Sequence, residues 1–546
     1  MAAHSQPLVV AASDEEVIRG WQAAMPGSPT PVLTPQADGT RLTWTGAATA
    51  DAYDTRVRSG SGYTGSPQSN GTFGKASTQG DARWVHGDGT VDAFGFRTLH
   101  TDDRSALPRS AYQLGNLQVG RTAGAWSFAA GDVAPNFSRL SSALGVRGAL
   151  GQVNLGPVAL SGFTGRVAES WEALGRPVLR TQPVRTVHGG KLELPLGETL
   201  KVHATSQQYA QERLPNDSAA AGAPRAVSRN STLGLQYAKG DLTLTGEAAT
   251  SRLDDDVHGD REGHAGVVDG TWRMGTAALR FGAHHIDPGY TSLSQGATPG
   301  VEEAYVALDW PVVSWLTLGG DVRTSRNSTL ATELMQAVVS RTRSAALNAT
   351  VNFGSEWPGW SATLQRAVSE STSAGDQRQA NEATSAGITY YGPVWNFQLA
   401  RSRAVVENSS YPAGNSTTEG WTGNVRRNWA AAEAGAWTAA VGLSGRSQVQ
   451  RMALGLRSEA RDVAVQVSAD RPGVANLSLA AAIGTLQQAT DAAPVRTRSV
   501  QADVTVPIAG DAAQLKFYLR YSTRDGADPV LELMERTVGL QLAVRF

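Results

Sequence analysis

The stretch Thr537-Val-Gly-Leu-Gln-Leu-Ala-Val-Arg-Phe546 decides the reading of the chain. Val538, Leu540, Leu542, Val544 and Phe546 share one face, whereas Gln541, Ala543 and Arg545 share the other. Alternation with period two marks a strand with one oily and one wet side. The same unit recurs upstream. Leu233, Leu235 and Tyr237 face one way, as do Leu242, Leu244 and Gly246 across a Lys239-Gly240-Asp241 turn, while Thr243, Thr245 and Glu247 face the other way. A glycine inside a short polar turn between alternating segments is a hairpin signal. Similar pairs run through Ala304–Val322, Leu347–Leu364, Ile388–Leu399 and Val500–Tyr521.

A terminal strand of this pattern ending on Phe546 resembles the assembly signal of bacterial outer-membrane β-barrels. The resemblance implies recognition of Val538, Leu540, Leu542, Val544 and Phe546 by the barrel-assembly machinery. A soluble sandwich also alternates, so two further features separate the readings. Trp310, Trp315, Trp360, Tyr391 and Trp395 sit beside turns, where an aromatic girdle meets a membrane interface. Connections also alternate in length. Short turns fall near 87–89, 122–125, 156–157, 195–198, 239–241, 274–275, 311–314 and 392–394, with longer polar loops between them. Tight turns on one side and long loops on the other are the asymmetry of a barrel with periplasmic hairpins.

The predicted fold is therefore all-β: one large antiparallel transmembrane β-barrel over 41–546. Strand segments number about 27, with parity slipping between Trp421 and Thr485. An even count is required when both termini are periplasmic, which gives about 26 strands, range about 22–28, at about 9–11 residues each. The wet faces nominate Glu247, Asp309, Asp321, Arg323, Asn352, Asp503, Lys516, Arg520 and Arg545 as lumen-lining.

Residues 1–40 read differently. Ser13 and Glu16 fit a capping box, and Val17, Ile18, Trp21 and Ala24 make one apolar stripe on a short helix. A Pro-rich linker over 28–35 follows, so 1–40 is expected to be a periplasmic or lumenal arm. Ala3 and Ser5 fit the tail of a cleaved leader, with Gln6 near the mature start. Leu42-Thr-Trp44 and Tyr53 resemble the core of a fibronectin-type sandwich, but the barrel pattern begins too soon for such a domain, and a first barrel strand is expected there.

Composition narrows the function. The 546 residues contain no cysteine, which removes disulfides, thiolate metal sites and Cys nucleophiles. No run of 18 apolar residues can span a bilayer as a helix. The net charge of −1 gives no bulk attraction for nucleic acid. Lysine occurs at only five positions, leaving 43 arginines among the 48 basic residues. Genomic base composition explains that bias, or else arginine forks line a wet interior or grip lipid phosphates at the rim. The nine histidines are scattered, and His284 and His285 are adjacent, so on a strand they point to opposite faces. Hydrolase and phosphate-binding motifs are absent, and no catalytic residue, cofactor or metal is expected. Asp254-Asp255-Asp256 with Asp260 and Glu262 lacks EF-hand spacing and reads as a solvated loop, the alternative being cation bridging to lipopolysaccharide. Gly131-Asp132, Phe137 and Arg147-Gly148 resemble a segment of fimbrial usher barrels. Ushers are longer, and neither a plug insertion nor flanking soluble domains is recognisable here.

A barrel of this width leaves a lumen that loops of about 20 residues narrow without closing. The expected function is an outer-membrane conduit for export of a macromolecule, polysaccharide or protein, gated or filled by a periplasmic or lumenal protein partner. A sheath around a partner protein and a general diffusion porin are the alternatives. Outer-membrane lipid and lipopolysaccharide are the other expected contacts.

Overall fold

In hydrocarbon every backbone N–H and C=O needs a partner, so a sheet that meets lipid must close on itself. The computed structural model describes the chain from Thr40 to Phe546, apart from 60–69, 105–106, 108–110, 142–144, 169, 177–183, 212–225, 256–258, 293–296, 331–336, 374–376, 432, 434, 490–492, 511 and 527–531. The helix, linker and leader expected within 1–39 lie outside the described residues.

The first strands are β1 (Arg41–Ser59), β2 (Gly71–Val85), β3 (Val91–Thr101) and β4 (Tyr112–Ala123). Four short ones follow: β5 (Trp126–Val133), β6 (Val146–Leu155), β7 (Val158–Val167) and β8 (Arg185–Leu196). A five-residue helix α1 (Trp171–Gly175) lies between β7 and β8. Next come β9 (Leu200–Gln211), β10 (Ala226–Lys239), β11 (Leu242–Asp255) and β12 (Arg261–Met274). The middle of the chain adds β13 (Ala277–Ile286), β14 (Val301–Val313), β15 (Leu316–Ser328) and β16 (Val339–Asn352). Then follow β17 (Trp360–Ser373), β18 (Gln377–Tyr391), β19 (Trp395–Asn408) and β20 (Ser416–Trp429). The last six are β21 (Thr438–Met452), β22 (Arg457–Arg471), β23 (Ala475–Gln487), β24 (Val495–Pro507), β25 (Ala513–Asp525) and β26 (Leu533–Arg545).

Each strand pairs antiparallel with its sequence neighbours, and β1 pairs with β26 from Ala47↔Arg545 to Ser59↔Leu533. The 26-stranded sheet is a closed cylinder. At the seam Phe546 exchanges backbone bonds with Gly46 (2.7 and 3.0 Å) and its ring stacks on Trp44 at 6.2 Å. A Cβ on Gly46 would lie 2.3 Å from that ring, so only glycine fits beneath it. The four strands β20–β23 resolve the miscounted region between Trp421 and Thr485.

Two expectations need correction. Strand lengths run from 8 residues (β5) to 19 (β1), wider than the 9–11 expected, because many strands extend beyond the depth a bilayer requires. Pro311 does not begin the turn after β14. It is paired within the strand, a register shift between Pro311 and Val313 accommodates its missing N–H, and the turn falls at Ser314-Trp315.

Oily residues meet oily residues across the ladder, as in Leu235↔Gly246, Ala349↔Leu364, Ile388↔Leu399 and Phe517↔Leu540. This face is bare of protein: Leu347 is 69% and Leu233 65% exposed. Trp310, Trp315, Tyr391 and Trp395 are exposed at the short-turn end, and Trp360 lies there beside Tyr390 at 5.0 Å. A continuous apolar band edged by aromatic rings on a closed sheet has lipid as its solvent. The wall is a transmembrane barrel.

Candidate functional site in the barrel lumen

Twenty-six strands about 4.8 Å apart and tilted by about 40° make a wall roughly 160 Å around and, if round, roughly 50 Å across. What occupies the inner face is therefore decisive. Between β5 and β6 the chain turns inward. Gly131 starts the departure with φ of +104°, in a position where a Cβ would strike the Leu117 carbonyl at 2.0 Å. Residues 134–141 then lie against the inner face as far round as β12. Pro135, Leu140 and Ser141 are fully buried.

Glu247 on β11 holds this loop. Its two carboxylate oxygens accept the backbone N–H groups of Arg139 (3.1 Å) and Leu140 (3.0 Å), and His203 on β9 lies 3.7 Å away. The Arg139 guanidinium pairs with Asp269 on β12, which also accepts from Tyr305 Oη at 2.7 Å and pairs with His284 Nε2 at 2.9 Å. Gln207 donates to the Ser141 carbonyl at 2.5 Å.

A second inward segment, between β13 and β14, locks the first. Tyr290 is fully buried; its hydroxyl donates to the Leu140 carbonyl (2.7 Å) and accepts from the Asn230 amide (2.5 Å). Burial pushes the Tyr290 hydroxyl up to about 12, so it remains a donor at neutral pH. Ser292 Oγ donates to the carbonyls of Leu140 and Ser141 at 2.7 and 2.8 Å. Beneath these bonds lie two apolar clusters. One joins Leu140 to Ala249, Ala265, Val267, Ile286 and Tyr290; the other joins Phe137 to Val133, Val146, Phe163 and Val187.

The nominated wet-face residues all share the face to which this loop binds, but they do different things. Glu247 is covered by the loop and does not line open water, because its carboxylate is saturated by the two N–H groups. Asp309 pairs with Arg280 at 2.8 Å. Arg323 lies over the Tyr305 ring at 5.6 Å and 3.7 Å from Glu303, while Asp321 faces Ala307 and Ala346 across its neighbours. Asn352 ends β16, its N–H bound to the Trp315 carbonyl. Asp503 pairs with Lys516 at 3.2 Å, and Arg520 lies over Tyr518 at 5.4 Å, whose hydroxyl donates to Asp51 across the seam. Arg545 faces Ala47 at the closing strand pair.

The sequence does not mark the inward loop as a site, although a longer polar loop is expected between the turns near 122–125 and 156–157. Its signal was Phe137 and Leu140, two large apolar residues in a polar connection. Gly131, Asp132, Phe137, Arg147 and Gly148, noted above for their likeness to usher barrels, all cluster where this loop leaves the wall. Asp132 lies 3.4 Å from Arg147 and accepts from Trp171 of α1 at 2.7 Å. In the acidic cluster, Arg252 reaches Asp254 (3.0 Å), Glu262 (3.5 Å) and Asp260 (3.6 Å), and Asp256 lies outside the described residues. No group of three His, Asp or Glu able to hold a metal occurs among the described residues.

The other arc of the lumen is chemically distinct. Register places Ser344, Asn348, Gln365, Ser369, Asn381 and Ser385 on the inner face. Across the described residues of β16–β19, every inward position carries Ser, Thr, Asn, Gln, Ala, Gly or another uncharged residue. Charges return with Arg426 on β20, Arg446 on β21, and Asp462 and Asp470 on β22.

No protein-family model matches the chain, and no curated protein matches it. Solved structures do. It is similar to the P pilus usher (PapC) translocation pore, at 11% identity over 92% of this chain and 99% of that one, TM-score 0.44. It is also similar to the ferric citrate transporter FecA in the unliganded form, at 9% identity over 92% and 78%, TM-score 0.42. The anion-selective porin from Comamonas acidovorans matches at 12% identity over 55% and 93%, TM-score 0.31.

Proposed function

We propose that the chain is an outer-membrane translocation channel that passes a bulky, extended macromolecule, with a partner occupying or gating the lumen. The observation that carries this reading is the uncharged, hydroxyl- and amide-rich inner wall of β16–β19 in a cylinder wider than any small solute requires. Such a wall offers exchangeable hydrogen bonds and no fixed charge, so it lubricates passage without trapping a moving chain. Neutral polysaccharide and weakly charged polypeptide are the cargo classes that fit. An unobstructed lumen of this size would breach the membrane, which motivates the partner. The short turns, with both chain ends, are assigned to the periplasm and the long loops to the exterior.

The inward loop 134–141 is a feature that a diffusion porin would share. Among the described residues it pads one arc and leaves the opposite arc bare, which favours the conduit over the porin. Planar-bilayer recording of the purified full chain, with neutral polymers of increasing size added, separates the two. A conduit gives large conductance that only large polymers leave unblocked. Small, steady conductance insensitive to polymers that enter a wide lumen would overturn the proposal.

A further inference from the structure

Part of the arginine excess lies outside the lumen. On β16 the positions Arg341 and Arg343 alternate with inward Thr342 and Ser344, so both point outward, on the lipid side. The same parity turns Arg401, Arg403, Arg496 and Arg498 outward. All six are exposed; Arg341, Arg343, Arg403, Arg496 and Arg498 lie in the long-loop halves of their strands, and Arg401 sits at the middle of β19. None has a carboxylate ion-pair partner among the described residues. The outward glutamates of this belt are largely spoken for by other arginines: Glu302 by Arg326 (3.4 Å), Glu382 by Arg366 (3.0 Å), Glu370 by Arg378 (2.8 Å) and Glu419 by Arg451 (3.1 Å).

Below the belt the apolar band begins, and the two meet in a groove. It measures about 490 Å³ on β15–β19, lined by Val322, Val368 and Val405 together with Arg343 and the carboxylates Glu370, Glu382 and Glu407, the first two of which are paired with Arg378 and Arg366. An apolar floor continuous with the lipid-facing band, with the Arg343 guanidinium in its lining and Arg341 and Arg403 nearby on the same outward face, is complementary to an amphiphile with acyl chains and an anionic phosphate head. Guanidinium forks suit phosphate oxygens better than an ammonium does.

We infer that the long-loop end of β15–β24 is a binding belt for a phosphorylated glycolipid of the surrounding leaflet, seated with its acyl chains on the Val322–Val368–Val405 floor and its phosphates on Arg341, Arg343 and Arg403. This rests on the proposed outer-membrane placement only for which leaflet supplies the lipid. The belt lies outside the lumen and requires nothing of the cargo.

The test uses the full chain purified in nonionic detergent and mixed micelles containing a bisphosphorylated lipid A-type glycolipid. Its dephosphorylated form, phosphatidylglycerol and inorganic phosphate serve as competitors. The combined variant Arg341→Gln, Arg343→Gln, Arg403→Gln should retain roughly a hundredfold less glycolipid. The lumen variant Arg426→Gln, Arg446→Gln should retain as much as the parent. Heat-modifiability of each on a gel certifies that the barrel has formed, and a triple-Lys variant provides a folded, charge-preserving comparison if the Gln triple does not assemble. It should keep part of the binding. Equal retention by the parent and a folded Gln triple would overturn the inference. So would equal competition by phosphatidylglycerol or by the dephosphorylated glycolipid. Wild-type conductance in a non-binding variant separates failure here from failure of the channel proposal.

Discussion

The two halves of the cylinder solve opposite problems. From β5 to β14 the wall is lined by an inward loop, carboxylates and a small dry core. Among the described residues, no segment covers the lumen face from β16 to β24, which is nearly uncharged. Burial divides in the same way. Among the described residues, every buried polar side chain and every buried apolar one except Ala440 lies before residue 300. Strand length sets only β5–β7 apart, at 8–10 residues; β10–β12, on which the loop docks, have 14, and β14–β26 have 13–15. The loop-bearing side gains its rigidity from side chains packed inside the barrel, and the other side relies on the ladder. One half thus holds a docked loop, and the other leaves its inner face uncovered by any described segment.

The comparison breaks most completely if the loop is removed. Deleting 135–141 should expose Leu140's partners Ala249, Ala265 and Val267 to water. The chain has no cysteine, so a single Thr232→Cys reports cleanly, and its maleimide labelling should rise roughly a hundredfold. The same deletion should leave Ser444→Cys on β21 unchanged. Leu140→Ala comes next, costing the docked loop about 3 kcal/mol through the cavity it leaves. Thr232→Cys labelling measures that loss. Glu247→Ala strands two backbone donors and should cost about 2–3 kcal/mol on the same readout.

Tyr290→Phe sharpens the picture, removing one donated bond for about 1 kcal/mol. Its pH dependence has a definite sign. The neutral hydroxyl is favoured in the docked state, so its contribution is fully present below pH about 10 and is lost as pH rises through about 12. Labelling at Thr232→Cys should rise across that window in the parent, and Tyr290→Phe should flatten the rise. Smallest of all, Arg446→Ala on the bare arc should change stability by no more than about 0.5 kcal/mol in detergent melts.

The barrel was legible because alternation is local: Leu233 and Leu242 declare their face within one hairpin, and the five hairpins of this kind leave the exact strand count and closure to infer. The aromatic girdle was legible for the same reason, since Trp310 and Trp395 stand beside turns. The loop site was not, because its contacts join residues more than one hundred positions apart, such as Leu140 with Glu247 and Tyr290. Glu247 could be placed on the wet face by parity, but parity is silent on whether water or a backbone N–H meets a carboxylate there. The outward arginines were hidden differently. A count of 43 shows an excess, and only register shows which side of the sheet carries it.

The account rests on one face of each strand touching water and the next residue touching lipid, even where no loop covers the wall. The direct measurement is paired labelling on β18 of the full chain in lipid vesicles, comparing Ser385→Cys with Ala386→Cys. A maleimide attached to a small folded protein should react with Ser385→Cys through the lumen and leave Ala386→Cys untouched. Equal reactivity at the two positions, or protection of both, would contradict it.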